Sequence, residues 1–294
     1  METIEKKPFN KRIITIAILV GLFIFLYASA LYFYHSDRTQ RSADLSFGDD
    51  KAVDRMDVAV SLLGIDPIKG EVSLRFAPSP EGKFGKDGRL TQDLKFYTHI
   101  ENGKSEVTLE KSRIPETVTG TISLYDGRVS DYPFDMHKTD FYVFFTNPKD
   151  ELEEIPINLS FYGAISGFDV DVDYIPKAEF ESNDSYMGIR IQISRSVIIK
   201  SFAIFLMIAM WLIGLAVFTI TMVVAFQPRP IEFGMFTLIA GMLFALPAVR
   251  NLQPGVPPLG TLTDFISFFW AESLVAFSMP TLFFFWLTRY KKPE

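Results

Sequence analysis

Long apolar runs occur at four places in the chain, residues 13–34, 198–226, 231–249 and 264–288. The first run contains no charged residue and would form a helix of roughly 33 Å, which is enough to cross the hydrocarbon core of a bilayer. The pattern therefore predicts an integral membrane protein with four transmembrane helices. Residues 35–197, between the first and second runs, follow a different pattern.

The first run also has a second interpretation, as a cleaved signal peptide. Basic residues precede it, and Ala28, Ser29 and Ala30 resemble a cleavage site. The apolar run continues to residue 34 and ends in tyrosines that suit a membrane interface, and these features favour a retained anchor.

Lysine and arginine near the ends of the runs predict the orientation. Eight lie on the proposed cytoplasmic side and six on the other, so residues 1–12 and 289–294 are predicted to be cytoplasmic and residues 35–197 to lie outside the plasma (inner) membrane. The outer part holds 29 Asp and Glu against 19 Lys and Arg, a net charge of −10. This acidity argues against a nucleic-acid partner.

Within residues 35–197, apolar side chains recur at every second position, which is the period of a half-buried strand. Nine such runs predict two antiparallel sheets packed face to face, a β-sandwich outside the cytoplasm. Residues 35–52 are predicted to be a polar tether and residues 78–90 a mobile loop. The nine runs are 58–62, 72–76, 94–96, 107–109, 122–124, 141–145, 157–161, 168–174 and 189–193.

The last predicted strand passes into the second apolar run without a linker. A tilt of the domain would then move the helix directly. Such a connection suits signalling, or it simply holds the domain upright. The predicted fold class is accordingly mixed: an extracytoplasmic antiparallel β-sandwich plus four transmembrane α-helices, with an outer loop at 250–263.

The segment Tyr132, Pro133, Phe134 and Asp135 is predicted to be a rigid turn, because proline fixes its own φ and holds Tyr132 extended. One interpretation is a corner of the sandwich. The other is a coupling loop that touches the membrane helices.

Three carboxylates, Asp169, Asp171 and Asp173, alternate along one predicted strand face. Neighbouring members of the set would lie roughly 7 Å apart, too far for one ion to bind all three without help from a loop. A solvated strand face is the first interpretation, and a calcium site, with Asp49 and Asp50 as further ligands, is the second.

The outer loop contains three prolines and two glycines, Pro254 and Gly255 among them, and is predicted to be stiff. Asp264 is placed to cap the following helix. Glu272, close to Trp270, would lie about 12 Å deeper by helical rise and needs protonation or a partner. Arg250 is the nearest basic candidate, so the sequence leaves open a structural Arg250–Glu272 clamp and a functional intramembrane carboxylate.

Together, the turn at 132–135, the N-terminal anchor, the three C-terminal runs and the segment from Arg250 to Glu272 resemble an uncharacterised family of four-span membrane proteins, domain of unknown function four-four-three-six. The resemblance covers nearly the whole chain and implies fold and location.

A second similarity is to the ectodomain of pentameric ligand-gated channels, in which an aromatic-Pro-Phe-Asp loop lies over the membrane. That similarity implies that the turn rests on residues 254–260. The chain departs from the channels in its extra N-terminal span and in having no regular polar stripe to line a pore.

Two classes of function follow. The first is a non-enzymatic envelope protein whose sandwich binds a partner or ligand, or scaffolds an assembly. The second is a channel, transporter or sensor. An enzyme ranks third, because the three histidines are scattered and the chain has no cysteine for a nucleophile or thiolate metal site. No cofactor is expected, and the expected partners are the lipid bilayer and an envelope protein or a second copy of the chain.

Overall fold

The computed structural model places the chain in two units, Met1–Arg41 and Ser42–Glu294. The first unit contains helix α1, Lys11–Gln40, whose apolar stretch is Ile14–Ser29. The helix continues six residues beyond the predicted span, into the segment predicted to be a tether. The residues described are 11–40, 45–48, 51–150, 153, 155–176, 186–227, 229–255 and 257–289.

The second unit begins with a β-rich domain built from two five-stranded sheets. One sheet has the order β1-β10-β2-β3-β8 and the other β11-β12-β9-β6-β7, while β4 and β5 form a small hairpin. The strands are β1 Leu45–Gly48, β2 Met56–Asp66, β3 Glu71–Pro80, β4 Gly85–Lys86, β5 Arg89–Leu90, β6 Leu94–Thr98, β7 Glu106–Leu109, β8 Val118–Ser123, β9 Met136–Thr146, β10 Ile157–Tyr162, β11 Phe168–Ile175 and β12 Met187–Arg195.

Alternating side chains of both sheets fill one hydrophobic core. Phe76 of the first sheet lies 5.5 Å from Phe141 and 6.2 Å from Phe96 of the second, ring centre to ring centre. Since aromatic pairs of this geometry bury large areas, the apolar faces of the two sheets hold the domain together. All nine predicted runs coincide with strands.

Three details of the predicted β-domain are wrong. β10 pairs with β2 in parallel, so the first sheet is mixed rather than wholly antiparallel. The predicted tether contains β1, which pairs with β10. The predicted loop at 78–90 contains the end of β3 and the β4–β5 hairpin, and it buries Phe84 and Leu90 in the core. Its glycines and charges suggested a loop, but the two apolar residues anchor it.

Three helices follow the β-domain: α2 Val197–Phe226, α3 Phe233–Arg250 and α4 Phe269–Arg289, the last preceded by a π-helical turn, Asp264–Phe268. Within the described residues, three segments are long and apolar enough to cross a membrane: α2, α3 and Asp264–Arg289. The finding supports a membrane protein, and the fourth span, at α1, stays a prediction.

Helices α2 and α4 pack closely at Gly214, where an added Cβ would lie 2.9 Å from the Ala271 Cα. Two polar bonds fix the π-helical turn against α2, because Trp211 Nε1 donates to the Ile266 carbonyl at 3.0 Å and Ser267 donates to the Met207 carbonyl at 2.8 Å. Small residues and side-chain-to-backbone bonds are the usual means of helix association in lipid.

Strand β12 leads into α2 through a single residue, Ser196, whose hydroxyl accepts from the Ile199 amide at the start of the helix. The prediction of a strand that continues into a helix is therefore confirmed. The point at which β12 meets α2 fixes where the β-domain touches the helices.

Candidate functional site

The turn at Tyr132 lies where the β-domain meets the helical bundle. Tyr132 is fully buried, and its hydroxyl donates to the Pro254 carbonyl at 3.0 Å. Its peptide bond to Pro133 is cis. Phe134 is half exposed. The predicted contact between this turn and residues 254–260 is thus confirmed at Pro254, and Val256 lies outside the described residues.

Asp135 follows the turn and is the centre of a buried ionic group. Its carboxylate accepts from Arg195 Nε at 3.0–3.1 Å and from Arg195 Nη2 at 3.0 Å. His137 Nε2 lies 3.0 Å from the same carboxylate. Burial by itself would raise the pKa of the Asp135 carboxyl, but the bonds from His137 and Arg195 outweigh burial and hold this pKa below its ordinary value.

Arg195 links this group to the outer loop. It is the last residue of β12, and its guanidinium lies 4.8 Å from the Phe168 ring centre and 5.2 Å from that of Tyr132. A Cβ added to Gly255 would lie 3.3 Å from Arg195 Nη1, so the guanidinium also lies against the loop backbone. We call Tyr132, Asp135, His137 and Arg195 the junction cluster.

The outer loop is fixed by a second buried ion pair. Arg250, at the end of α3, donates from Nε and Nη2 to the two oxygens of Asp264, at 2.8 Å each, and from Nη2 to the Pro258 carbonyl at 2.7 Å. Asp264 Oδ2 also accepts from the amides of Gly260 and Thr261, at 2.8 and 3.2 Å. We call Arg250 and Asp264 the loop clamp.

The loop clamp corrects two predictions. Arg250 pairs with Asp264 and not with Glu272, because Asp264 lies at the level of the end of α3 whereas Glu272 lies two helical turns further along. Asp264 caps the turn that precedes it, through Gly260 and Thr261, rather than the first turn of the helix that follows. The predicted Arg250–Glu272 clamp is therefore wrong, and the arginine–carboxylate pair that the structure has here uses Asp264.

Gln253 extends the polar contacts of the loop. Its side chain is buried, and its Oε1 accepts from the Thr263 hydroxyl at 3.2 Å, while Thr263 in turn lies 2.9 Å from the hydroxyl of Thr261. Gln253 Nε2 is buried without a hydrogen-bond partner among the residues the structure describes. Gln253 therefore ties the two ends of the loop together and leaves one donor unsatisfied.

Glu272 stands apart from both ion pairs. In the described part of the chain, its Oε2 is buried and has no hydrogen-bond partner. Trp270, two residues earlier, is exposed and donates from Nε1 to the Phe265 carbonyl at 2.8 Å. Trp270 therefore supports the π-helical turn, and the Glu272 carboxyl contributes to neither the junction cluster nor the loop clamp.

Sequence reasoning missed His137 and Arg195. A usable signal was present, because positions 137, 139 and 141 share the inward phase of β9, and a histidine at such a position needs a polar partner. Arg195 likewise continues the inward phase of Ile189, Ile191 and Ile193.

Two family models match this chain, one over most of the β-domain and one over the three C-terminal helices. Domain of unknown function (DUF4436) matches residues 46–192, which is half of the chain. The chain belongs to this family. A second family model, Domain of unknown function (DUF8686), matches residues 195–289. None of the curated proteins compared with the chain matches it.

In this DUF4436 protein the two family models meet between residues 192 and 195. The first covers the β-domain from β1 to β12, and the second covers the helical bundle from Arg195 to Arg289, the last residue of α4. The boundary therefore falls at the junction cluster, and Asp135 and Arg195 form an ion pair across it.

The predicted metal candidates lie on β11, an edge strand of the DUF4436 domain. Asp171 and Asp173 are exposed, and Asp173 stands opposite Arg190 in the register. In the regions that the structure covers, no group of three or more His, Asp or Glu residues could hold a metal ion. Asp49 and Asp50 lie outside those regions. The calcium site and the solvated strand face thus both stay predictions.

Proposed function

We propose that the protein is a non-enzymatic, multi-pass membrane protein that presents its β-domain outside the cytoplasm, at a fixed height and angle, to a partner or an assembly in the cell envelope. The observation that carries the proposal is the junction cluster. Its buried Asp135–Arg195 pair and the bond from Tyr132 to Pro254 join the β-domain to the outer loop of the bundle.

The membrane location is supported by the three apolar helices, and the orientation by the excess of Lys and Arg near the predicted cytoplasmic ends. With α1 as a fourth span, both termini lie in the cytoplasm and the β-domain lies outside the plasma membrane.

A fixed attachment favours a scaffold because the β-domain is restrained by the chain itself and by its contact with an outer loop that is itself held in place. The chain itself passes from β12 into α2, the junction cluster contacts the outer loop at Pro254 and Gly255, and the loop clamp holds that loop against α4. A domain that acts only as a tethered binding module needs none of these bonds, since a flexible linker would serve it.

A second candidate function is a channel-like, transport or sensor protein in which the β-domain is coupled to the bundle. One observation favours it: Glu272 has a buried carboxylate oxygen with no partner among the described residues, inside an apolar segment. Ionisable groups at such positions often serve transport or sensing. The oligomeric state in detergent separates the candidates, because a closed ring with Glu272 on its axis favours conduction.

The proposal is tested by placing a photo-crosslinking amino acid at exposed positions of the β-domain, such as Thr119 and Tyr125, in intact cells. A scaffold predicts a defined cross-linked product that forms outside the cytoplasm. Asp135→Asn should reduce that product without reducing the amount of protein in the membrane fraction, because it loosens the attachment only. No product from any exposed position of the β-domain would contradict the proposal.

A further inference from the structure

A groove opens between the end of α2 and the start of α3, at the end of the bundle remote from the β-domain. Since Val223 in its wall lies 26 residues beyond Val197, the groove lies about 39 Å from the junction by helical rise. Its volume is about 330 Å³, comparable to small ligand pockets of roughly 300–1,000 Å³. Ile220, Val223 and Met235 form apolar walls, and Arg229 and Glu232 also line the groove.

Arg229 and Glu232 are both exposed. Neither side chain makes an ion pair or hydrogen bond with another described residue, and Glu232 makes no capping bond although it precedes α3. Arg289 is different, because its guanidinium donates to the carbonyls of Val224 and Ala225 in the last turn of α2 and to that of Arg229 in the link to α3. Among the described residues, contacts within the protein thus occupy the Arg289 side chain and leave the side chains of Arg229 and Glu232 without a partner.

We propose that this groove binds one phospholipid whose headgroup carries both a phosphate and a primary amine. The phosphate pairs with Arg229, the ammonium group pairs with Glu232, and an acyl chain lies along the apolar wall. The inference rests on the proposed membrane location, which puts the groove at the depth where headgroups meet acyl chains. Opposite charges three residues apart match a zwitterionic headgroup better than a purely anionic one, which would face Glu232.

Native mass spectrometry of the full-length protein, released from detergent, tests the proposal with three lipids of equal chain length: phosphatidylethanolamine, phosphatidylcholine and phosphatidylglycerol. We expect one bound phosphatidylethanolamine per chain. Phosphatidylcholine should bind more weakly because its quaternary ammonium cannot donate hydrogen bonds to Glu232, and phosphatidylglycerol should bind most weakly.

Variants then assign the charges. Arg229→Ala should weaken binding of all three lipids roughly fivefold, the effect of one modest ion pair. Glu232→Gln should abolish the preference for phosphatidylethanolamine over phosphatidylglycerol. Val223→Phe should block the apolar wall and lower binding of every lipid without changing any charge. Lys200→Ala, at the opposite end of α2, is the matched control and should change nothing.

Equal binding of the three lipids by the unaltered protein would overturn the proposal. A preference that survives Glu232→Gln, or binding that survives Arg229→Ala at full strength, would also overturn it. Resistance of the protein to carbonate extraction from membranes is measured first in every variant. A protein released by carbonate would contradict the membrane location itself, whereas a retained protein without lipid selectivity contradicts only the lipid site.

Discussion

The junction cluster and the loop clamp each contain a buried Arg–Asp pair, but they hold the carboxylate differently. Asp135 is bonded by side chains alone, those of Arg195 and His137, whereas Asp264 is bonded by Arg250 and by the amides of Gly260 and Thr261. The loop clamp therefore shapes the backbone of the outer loop. The junction cluster joins side chains from neighbouring strands and holds Arg195 in contact with that loop.

The two ion pairs therefore have different structural roles. The backbone bonds of Asp264 give the outer loop one conformation, which a side-chain pair alone would not specify. The junction cluster then uses that loop as a surface against which the β-domain docks, through Tyr132 and Arg195. A change in the loop clamp should consequently disturb both the bundle and the docking, and a change in the junction cluster should disturb the docking alone.

The largest effect is expected from Asp264→Ala. It leaves the buried Arg250 guanidinium without a carboxylate, and breaking such a pair costs about 3–5 kcal/mol of unfolding free energy. Thermal melting of the purified full-length protein in detergent measures this loss of stability. Exchanging the two residues of the clamp should not restore stability, because an arginine at 264 cannot accept from the Gly260 and Thr261 amides.

Glu272→Gln is the matched control for this prediction. It removes a carboxylate from the same helical segment, but one whose buried oxygen has no partner among the described residues, so melting should change little. A loss as large as that of Asp264→Ala would mean that the loop clamp has been assigned to the wrong carboxylate.

Asp135→Asn is expected to have the next largest effect, about 1.5–3 kcal/mol, the usual value of hydrogen bonds to a charged group. The pKa of the Asp135 carboxyl is held low in the folded protein. Its contribution to stability is therefore complete above the unfolded-state pKa of about 3.9 and is lost as the pH falls through the lower folded-state pKa.

Unfolding measured from neutral to acid pH checks this second prediction. The unaltered protein should lose stability in the acid range, and Asp135→Asn should remove that part of the pH dependence. Parallel curves for the two proteins would show that Asp135 carries no net charge-dependent stabilisation.

A smaller effect is expected within the bundle, away from both ion pairs. Gly214→Ala would place a Cβ 2.9 Å from the Ala271 Cα, and such overpacking costs about 1–3 kcal/mol. Gly241→Ala makes the same change in α3, where no atom lies within 4 Å of the added Cβ. Melting temperatures should fall for the first variant and stay level or rise for the second, and equal shifts would contradict the close α2–α4 contact.

Tyr132→Phe should have the smallest effect, about 0.5–1.5 kcal/mol, because it removes one hydrogen bond and keeps the buried ring. Burial raises the pKa of the Tyr132 hydroxyl to about 12. The unfolded chain ionises near pH 10, so this group's stabilisation is complete below about pH 10 and disappears as the pH approaches 12. Tyr132→Phe should lose less stability than the unaltered protein over that alkaline range in denaturant titrations.

The strands and the long C-terminal apolar helices were predictable because each is a local pattern. Alternation at Val58, Val60 and Leu62 requires one buried face, and an uncharged run such as residues 201–226 of α2 has few alternatives to a membrane span. The parallel β10–β2 pair was not predictable, since strand order depends on contacts far apart in the chain.

The candidate site, like the fold, was predictable only where the signal is local in the sequence. The turn at 132–135 and the stiff outer loop carry local signals, their prolines and glycines, and they were found. The partners of Asp135 and Arg250 depend on three-dimensional position, so Arg195 and His137 were missed and Glu272 was wrongly preferred to Asp264. A search for charged residues in the inward phase of a strand would have found Arg195.

The central claim is that the β-domain and the helical bundle form one rigid body, and a spin-label distance tests it most directly. The chain contains no cysteine, so labels can be attached at cysteines introduced at exposed Thr119 and Phe244 alone. In lipid nanodiscs, we predict a single narrow distance distribution that broadens in Asp135→Asn. An equally broad distribution in the unaltered protein would contradict the claim.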